Sequence, residues 1–322
     1  MALSNTENKS SRNKTLNISV EEGASYFKKC LRPDDSAGPL SLEEIQEKTI
    51  NGDSFKILPL LPDHFIDLAI IDPPYNLSKN YAGNKFNSVS RKDYFEYTEK
   101  WLSLLLPHLK ENASFYICCD WKSSMVIQDV LCKFEDDKKL IIQNRITWQR
   151  EKGRGARQNW KNAMEDIWFC TLGSDYTFNL DAVKVRRRVI APYKVDGQPK
   201  DWADTEGGKF RDTCPGNFWD DISIPFWSMA ENTAHPTQKP EKLLAKLIMA
   251  SSNPGDFIFD PFLGSGSTSV VAKKLGRKFC GIEQSDLYCT WAEKRLADAE
   301  EDKSIQGFKD GVFWERNALN GK

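Results

Sequence analysis

The apolar and polar positions along this chain predict strands and helices in alternation. Short apolar runs indicate buried strands, and apolar residues spaced three and four apart indicate helices. The predicted strands cover residues 65–71, 114–119, 140–148, 166–171, 257–260 and 279–282, and the clearest helices cover residues 93–106 and 124–134. This alternation predicts an α/β fold with a mostly parallel sheet and helices on both faces.

The same pattern divides the chain into five segments. Residues 1–48 form an N-terminal extension, which we expect to be partly disordered because its first 17 residues are short of apolar side chains. Residues 49–171 and 235–300 carry the regular strands and helices. Residues 172–234 have poor periodicity and predict an irregular insertion, and residues 301–322 form a C-terminal tail.

Composition narrows the class of protein. The chain has 322 residues and a net charge of −1, so any nucleic-acid surface must be local. The eight cysteines form no C-x-x-C pair and the three histidines lie far apart in the sequence, so we expect no metal site. The polar start is not a secretory signal and no run approaches the ~20 apolar residues of a membrane span. These features predict a cytoplasmic protein.

A tetrapeptide with unusual chemistry, Asp72-Pro73-Pro74-Tyr75, directly follows the first predicted strand. Prolines cannot continue a ladder, so the strand must end there. Ligands of open α/β sheets bind at such carboxyl ends. The Asp72 carboxylate and nearby carbonyls can accept both N–H bonds of an exocyclic amine, while Tyr75 offers a stacking face to a flipped base. The alternative is a strand-ending turn with Tyr75 packed on the surface.

A glycine turn marks the second half of the chain. Phe262-Leu263-Gly264-Ser265-Gly266 separates a predicted strand from a helix, and the next strand ends in Glu283. A carboxylate about 20 residues beyond such a turn binds a ribose diol in nucleotide-binding units. The preceding segment, His235-Pro236-Thr237-Gln238-Lys239-Pro240, leads into a helix and suits an anionic group such as a carboxylate. For this segment the alternative is an ordinary capped helix, with His235 as a capping or packing residue. The glycine turn is neither a Walker loop nor a complete dinucleotide fingerprint, so it does not identify a nucleotide site by itself.

Two basic runs are candidates for DNA contact. The segment of residues 150–161 carries five positive charges against one negative, from Arg150, Lys152, Arg154, Arg157 and Lys161. A second run lies in the insertion, at Arg186, Arg187 and Arg188. Such clusters supply the salt-dependent part of DNA affinity, although a solvated basic loop is the alternative. We expect base-edge contacts from the insertion.

The motifs, taken in their order along the chain, resemble those of the β-group DNA amino-methyltransferases, which use S-adenosylmethionine to modify adenine N6 or cytosine N4. The resemblance covers about residues 50–171 and 235–296. It implies a circularly permuted class I methyltransferase fold, which is Rossmann-like. Residues 49–171 would be the catalytic half, residues 235–300 the S-adenosylmethionine-binding half, and residues 172–234 the target-recognition insertion.

The resemblance also implies roles for individual residues. Asp72 and Tyr75 would hold the flipped base, with the Pro73 carbonyl completing the coordination of the amine and Pro74 completing the motif. Thr237 and Lys239 would contact the cofactor carboxylate, and Glu283 its ribose. The full set of implied cofactor contacts is Asp53, His235, Thr237, Lys239, Asp260, Phe262, Gly264, Gly266, Thr268 and Glu283. For the two aspartates in this set, stabilisation of a turn is the alternative.

Aspartate rather than serine at position 72 favours adenine N6, and cytosine N4 is the first alternative. Methylation of RNA or of a protein amide fits the permuted order and the long insertion less well. A non-catalytic DNA-binding module fits the intact motifs poorly. We expect double-stranded DNA as the substrate, a cognate restriction endonuclease as a partner, and a homodimer. The methyl group is already activated in the cofactor, so no metal is needed.

Overall fold

The computed structural model describes residues 11–34, 38–81, 84–150, 158–190, 193–205 and 207–315. In these residues the α-helices are α1 (Val20–Phe27), α2 (Leu42–Ile45), α3 (Ser54–Ile57), α4 (Arg91–Leu105), α5 (Trp121–Asp136), α6 (Glu241–Ser251), α7 (Ser267–Lys274) and α8 (Asp286–Glu301). Short 3₁₀ turns cover Leu58–Leu60, Leu106–His108 and Leu180–Val183. Among the helices that the structure describes, none has both the length and the apolar character needed to cross a bilayer.

The strands fall into one large sheet and several smaller ones. They are β1 (Lys48–Asn51), β2 (Ile66–Ile71), β3 (Lys79–Tyr81), β4 (Asn84–Phe86), β5 (Leu109–Cys119), β6 (Ile141–Gln149), β7 (Met164–Thr171), β8 (Val185–Arg188), β9 (Lys194–Val195), β10 (Gln198–Pro199), β11 (Ala203–Thr205), β12 (Gly208–Thr213), β13 (Phe218–Trp219), β14 (Phe257–Asp260), β15 (Lys278–Glu283), β16 (Phe308–Lys309) and β17 (Val312–Trp314).

The large sheet has eight strands in the order β1-β15-β14-β2-β5-β7-β6-β13. All neighbours are parallel except at β7, which is antiparallel to both β5 and β6. The predicted mostly parallel sheet is therefore confirmed. Because β14 of the second half pairs with β2 of the first half, the carboxyl ends of these two strands meet at one edge of the sheet.

Helices cover both faces of this sheet, as the sequence predicted. In β2, Ala69 and Ile71 face one hydrophobic cluster, which also contains Trp101 of α4 and parts of α5. Leu68 and Ile70 face the other cluster, which contains residues of α6, α7 and α8. This period of two is what a strand buried on both sides requires. Side chains on the two faces therefore fix the position and register of the strand.

The insertion is more regular than its sequence predicted. β11, β12 and β8 form a sheet that continues into β17 and β16, which come from the C-terminal tail. Phe313 of β17 is fully buried there. β13 instead joins the large sheet beside β6. These strands have two to six residues, too few for an alternating pattern to stand out, and β17 and β13 pair with strands far away in the chain.

Part of the N-terminal extension is also better ordered than expected. The backbone N–H of Lys14 donates to the carbonyl of Trp227 at 2.7 Å, and that of Leu16 to the carbonyl of Asn232 at 2.9 Å. Residues 1–10 lie outside the described part of the chain. The expectation of disorder is therefore wrong for residues 14–16, because their backbone groups pair with the end of the insertion rather than with water.

Candidate active site

The two motifs of the sequence line the same cleft. It lies at the carboxyl ends of β2, β14 and β15 and has a volume of about 320 Å³. Its walls include the whole tetrapeptide and every predicted cofactor residue except Gly266. Residues about 200 positions apart thus meet because their strands are neighbours in the sheet.

Both carboxylate oxygens of Asp72 accept hydrogen bonds from the chain itself. The Tyr75 hydroxyl donates to Oδ1 at 2.9 Å, and Lys239 Nζ donates to Oδ2 at 2.6 Å. Lys239 Nζ also donates to the Tyr75 hydroxyl oxygen at 3.0 Å. Behind them, the Tyr94 hydroxyl donates to the carbonyl of Pro74 at 3.1 Å, which holds the tetrapeptide against α4. The acidic group at the end of β2 is therefore held in one orientation.

Tyr75 is buried rather than open to solvent. It is 5% exposed. Burial raises the pKa of its hydroxyl well above the ordinary value, and the charges of Asp72 and Glu165 raise it further. The hydroxyl thus stays a neutral donor. The expected stacking face of Tyr75 has Lys239 Nζ 5.3 Å from its ring centroid, so a base can stack on that side only after Lys239 moves.

Lys239 lies two residues before the first residue of α6, and its side chain is 7% exposed. Burial by itself would lower the pKa of its ammonium group, but the charges of Asp72 and Glu165 outweigh burial, so the pKa lies above the ordinary value. The resemblance implied that this residue contacts the cofactor carboxylate. In the structure its charge is instead engaged by Asp72, a contact that the linear motif does not show.

Glu165, at the start of β7, is a site residue that sequence reasoning missed. Its side chain is 3% exposed, and Oε2 lies 3.5 Å from Lys239 Nζ. Its other oxygen, Oε1, accepts from Nη1 of Arg150 at 2.5 Å. The available signal was a glutamate directly before the predicted buried strand 166–171, a few residues after a basic run. A buried acid in that position needs a cationic partner.

The glycine loop joins β14 to α7 and contains two glycines with positive φ. Gly264 has φ +57°, and a Cβ there would lie 3.2 Å from Nε2 of His235. Gly266 has φ +84°, and a Cβ there would lie 2.6 Å from the Cβ of Ala292 in α8. Because Gly264 has no side chain, the loop can lie close to His235 and a ligand can approach its backbone. Gly266 instead lets the loop pack against α8, which explains why it does not line the cleft.

Glu283 ends β15 beside this loop. Its Oε2 accepts from the N–H of Gly264 at 2.9 Å and its Oε1 from the N–H of Ser285 at 2.7 Å. Burial raises the pKa of the carboxyl group to about 7 even though these hydrogen bonds lower it. Each oxygen of a carboxylate can accept a further hydrogen bond. Its orientation is thus fixed by the glycine loop, and contact with the cofactor ribose stays a prediction.

The two predicted aspartates have structural partners as well as a place in the cleft. Asp260 accepts from the N–H of Phe262 at 2.9 Å and from Oγ1 of Thr268 at 2.6 Å, and burial raises its pKa to about 7. Asp53 caps α3 by accepting from the N–H of Phe55 at 3.0 Å. Stabilisation of the loop and of the helix start is thus an observed role for both, and cofactor contact stays a prediction.

The segment before α6 is held by its histidine. The N–H of Thr237 lies 3.3 Å from Nδ1 of His235. The His235 ring packs edge-on against Tyr288, with ring centroids 4.4 Å apart. Both predicted residues thus line the cleft, and the His235 ring lies next to the glycine loop.

These walls suit S-adenosylmethionine, which carries a positive sulfonium, a ribose and an adenine. Buried carboxyl groups at Asp260 and Glu283, whose raised pKa values reflect the cost of their charge, favour a cationic ligand. The absent Cβ at Gly264 leaves room for close approach. The residues present therefore fit this cofactor.

The predicted DNA contacts are only partly described. Arg150 pairs with Glu165, and Lys161 is exposed, but Lys152, Arg154 and Arg157 lie outside the described residues. In β8, Arg186 makes two hydrogen bonds of 2.7 Å to Asp212 of β12. Of the other two arginines there, Arg187 lies 3.5 Å from Glu315 and Arg188 lies over the ring of Phe210. The charges of Arg186 and Arg187 thus already have acidic partners within the insertion sheet.

Comparison with known proteins agrees with this geometry. Residues 66–294 match the family model described as DNA methylase, of the N6/N4 type. The chain is 34% identical over 288 residues to the DNA adenine methyltransferase YhdJ of Escherichia coli (strain K12), covering 84% of this chain and 91% of that protein.

A second relative and a solved structure extend the match. The chain is 31% identical over 265 residues to the type II methyltransferase M.HpaI of Haemophilus parainfluenzae, covering 82% of this chain and 77% of that protein. The fold resembles that of the cytosine-N4-specific PvuII DNA methyltransferase with a TM-score of 0.56 at 17% identity, over 85% of this chain and 93% of that one. The chain therefore belongs to the N6/N4 DNA methylase family and is an S-adenosylmethionine-dependent DNA amino-methyltransferase.

Proposed function

We propose that this enzyme methylates N6 of adenine at a specific sequence in double-stranded DNA, with the target base flipped out of the helix. The observation that carries the proposal is the shared cleft, which is lined by Asp72, by the loop of Gly264 and by Glu283. Aspartate at position 72 supports adenine over cytosine. So does the likeness to YhdJ, whose name is DNA adenine methyltransferase.

The chain contributes orientation and charge to the reaction. Asp72 accepts an N–H of the target amine and opposes the positive charge that develops on its nitrogen. The carbonyl of Pro73 accepts the second N–H. When bound, S-adenosylmethionine would supply the methyl group: the N–C bond forms as the S–C bond breaks, a neutral thioether leaves, and the methylated nitrogen then loses one proton to solvent. Fixed positions for the amine and the cofactor account for much of the remaining rate, because they remove the entropy cost of bringing the reactants together.

The direct test is methyl transfer with tritiated S-adenosylmethionine and unmethylated genomic DNA, followed by digestion to nucleosides. We expect label in N6-methyladenine. Label in N4-methylcytosine would support the cytosine alternative. DNA binding without any transfer would support the non-catalytic module. Sequencing of the modified DNA then gives the recognition sequence.

The role of Asp72 is tested by Asp72→Ala. Loss of the acceptor should lower kcat about 10²- to 10³-fold, the size of effect seen when one preorganised polar group is removed from a site of developing charge. The dissociation constant for S-adenosylmethionine, measured by calorimetry, should change only a few fold. Asp298→Ala, on the exposed side of α8, is the control and should keep full activity. Wild-type turnover in Asp72→Ala would contradict the role.

Two further proposals concern partners. The type II name of M.HpaI supports a role in protecting DNA from a restriction endonuclease that reads the same site. The test is whether DNA methylated by this enzyme resists cleavage by an extract of the source cells that cuts unmethylated DNA. We also propose a homodimer, which sedimentation velocity of the purified enzyme tests directly.

A further inference from the structure

One side chain covers both parts of the predicted base site. Lys239 Nζ lies 2.6 Å from Oδ2 of Asp72 and 5.3 Å from the ring centroid of Tyr75. The Tyr75 hydroxyl occupies Oδ1 of the same carboxylate. A target amine needs an acceptor on Asp72, and a flipped base needs a face of Tyr75. In this arrangement the ammonium group competes with a target amine for Oδ2 of Asp72 and covers one face of Tyr75.

A second position for the ammonium group lies close by. Oε2 of Glu165 is 3.5 Å from Lys239 Nζ, and it has no hydrogen-bond partner among the described residues. The side chain is 3% exposed, so water does not readily satisfy this oxygen. A movement on the order of 1 Å would bring the two atoms to the distance of a charge-assisted hydrogen bond. Oε1 stays fixed by Arg150.

We propose, building on the adenine methyltransferase function above, that Lys239 is a positioning residue with two partners. In the DNA-free enzyme its ammonium group covers Asp72. When the target base enters, the ammonium group moves to Oε2 of Glu165 and leaves Oδ2 of Asp72 for the amine. Lys239 keeps its proton during this movement and remains paired with an acid in both positions.

Electrostatics gives the reason for two partners. A buried charge that loses its partner is strongly destabilising, so Lys239 can leave Asp72 only if another acid receives it. If the ammonium group stayed on Asp72, it would repel the positive charge that develops on the amine and weaken the acceptor. Glu165 meets both needs because it is buried, anchored by Arg150 and directed at Lys239.

The test is a double-mutant cycle of Glu165→Gln and Lys239→Met. Glutamine keeps the shape and the contact with Arg150 but removes the charge that receives Lys239. We expect Glu165→Gln to lower kcat about tenfold or more, in line with a lost charge-assisted hydrogen bond, while its S-adenosylmethionine affinity changes less than about threefold. The double variant should be more active than Glu165→Gln alone and close to Lys239→Met, because there is no longer an ammonium group to move.

Additive losses in the cycle would overturn the proposal, as would Lys239→Met that weakens only cofactor binding. The matched control is Asp221→Asn. Asp221 is another buried acid, and its carboxylate lies 2.9 Å from Lys242 Nζ and 3.1 Å from Lys246 Nζ of the same helix α6. This variant should lower stability without changing kcat of the folded enzyme, and a fall in kcat matching that of Glu165→Gln would also overturn the proposal.

A second readout does not depend on methyl transfer. A duplex carrying 2-aminopurine at the methylated position brightens when that base leaves the stack. The fluorescence of this duplex should rise more with Lys239→Met than with the wild-type enzyme, and less with Glu165→Gln. Equal signals with all three proteins would overturn the proposal. If the wild-type enzyme methylates DNA but the losses in the double-mutant cycle are additive, the Lys239 proposal fails and the proposed function stands. Wild-type enzyme without methyl transfer overturns both.

Discussion

At the scale of single residues, the cleft is built around acids. Asp72, Asp260 and Glu283 line it, and the buried Lys239 lies between Asp72 and Glu165. Burial raises the pKa of Asp260 and of Glu283 to about 7. The free enzyme therefore keeps carboxyl groups whose ionised form is unfavourable at neutral pH. A bound cation relieves this cost, so local stability is given up for function.

The variant Glu283→Gln should separate the stability cost of this buried carboxyl group from its contribution to cofactor binding. The pKa of Glu283 is raised from 4.5 to about 7, so above pH 4.5 the unfolded chain releases this proton first. The stability that the protonated Glu283 contributes to the folded protein is complete below pH 4.5 and is lost as the pH rises through about 7. The melting temperature of the cofactor-free variant should therefore fall less between pH 5 and pH 8 than that of wild type.

The same variant should bind S-adenosylmethionine about 10- to 100-fold more weakly, because the ribose loses a charged acceptor. Differential scanning calorimetry and titration calorimetry measure the two effects. Glu96→Gln, on the exposed side of α4, is the control for a change of charge alone. A melting curve with the pH dependence of wild type would show that Glu283 does not carry the cost assigned to it.

At the scale of elements, the sequence predicted strand ends better than strand partners. Prolines after β2 and glycines after β14 are local signals, so the tetrapeptide and the glycine loop were placed correctly at the carboxyl ends of strands. The contact of Lys239 with Asp72 joins residues 167 positions apart and depends on how α6 packs on the sheet. Glu165 belongs to no motif. Such contacts follow from the packing of distant segments, which a single sequence does not reveal.

The pairing of β17 with β8 leads to a prediction about the insertion. Phe313→Ala removes a fully buried ring and should lower the free energy of unfolding by about 3–5 kcal/mol. Because β8 and β12 share that sheet, DNA binding should weaken, while cofactor binding is retained in the folded fraction. Phe218→Ala is the control, since Phe218 is 58% exposed, and should cost under about 1 kcal/mol. Equal stability of the two variants in urea unfolding would show that the C-terminal strands do not support the insertion.

At the scale of the whole molecule, the charge distribution must explain DNA binding by a protein of net charge −1. The net charge of the protein does not attract DNA, so the affinity has to come from local positive groups. In the insertion sheet, Asp212 and Glu315 already pair with Arg186 and Arg187. The segment of residues 150–161, which carries five positive charges against one negative, is therefore the stronger candidate of the two predicted basic runs.

Salt dependence measures that contribution. Each phosphate contact adds about 0.9 to the slope of log Kd against log salt concentration. Replacing Lys152, Arg154 and Arg157 together by alanine should thus lower the slope by up to about 3 and leave cofactor affinity unchanged. The control replaces Lys138, Lys139 and Lys278, which lie where β6 and β15 begin, at the opposite edge of the sheet. Both variants lose the same charge, so an equal change in slope would mean that net charge, rather than contact at this segment, holds the DNA.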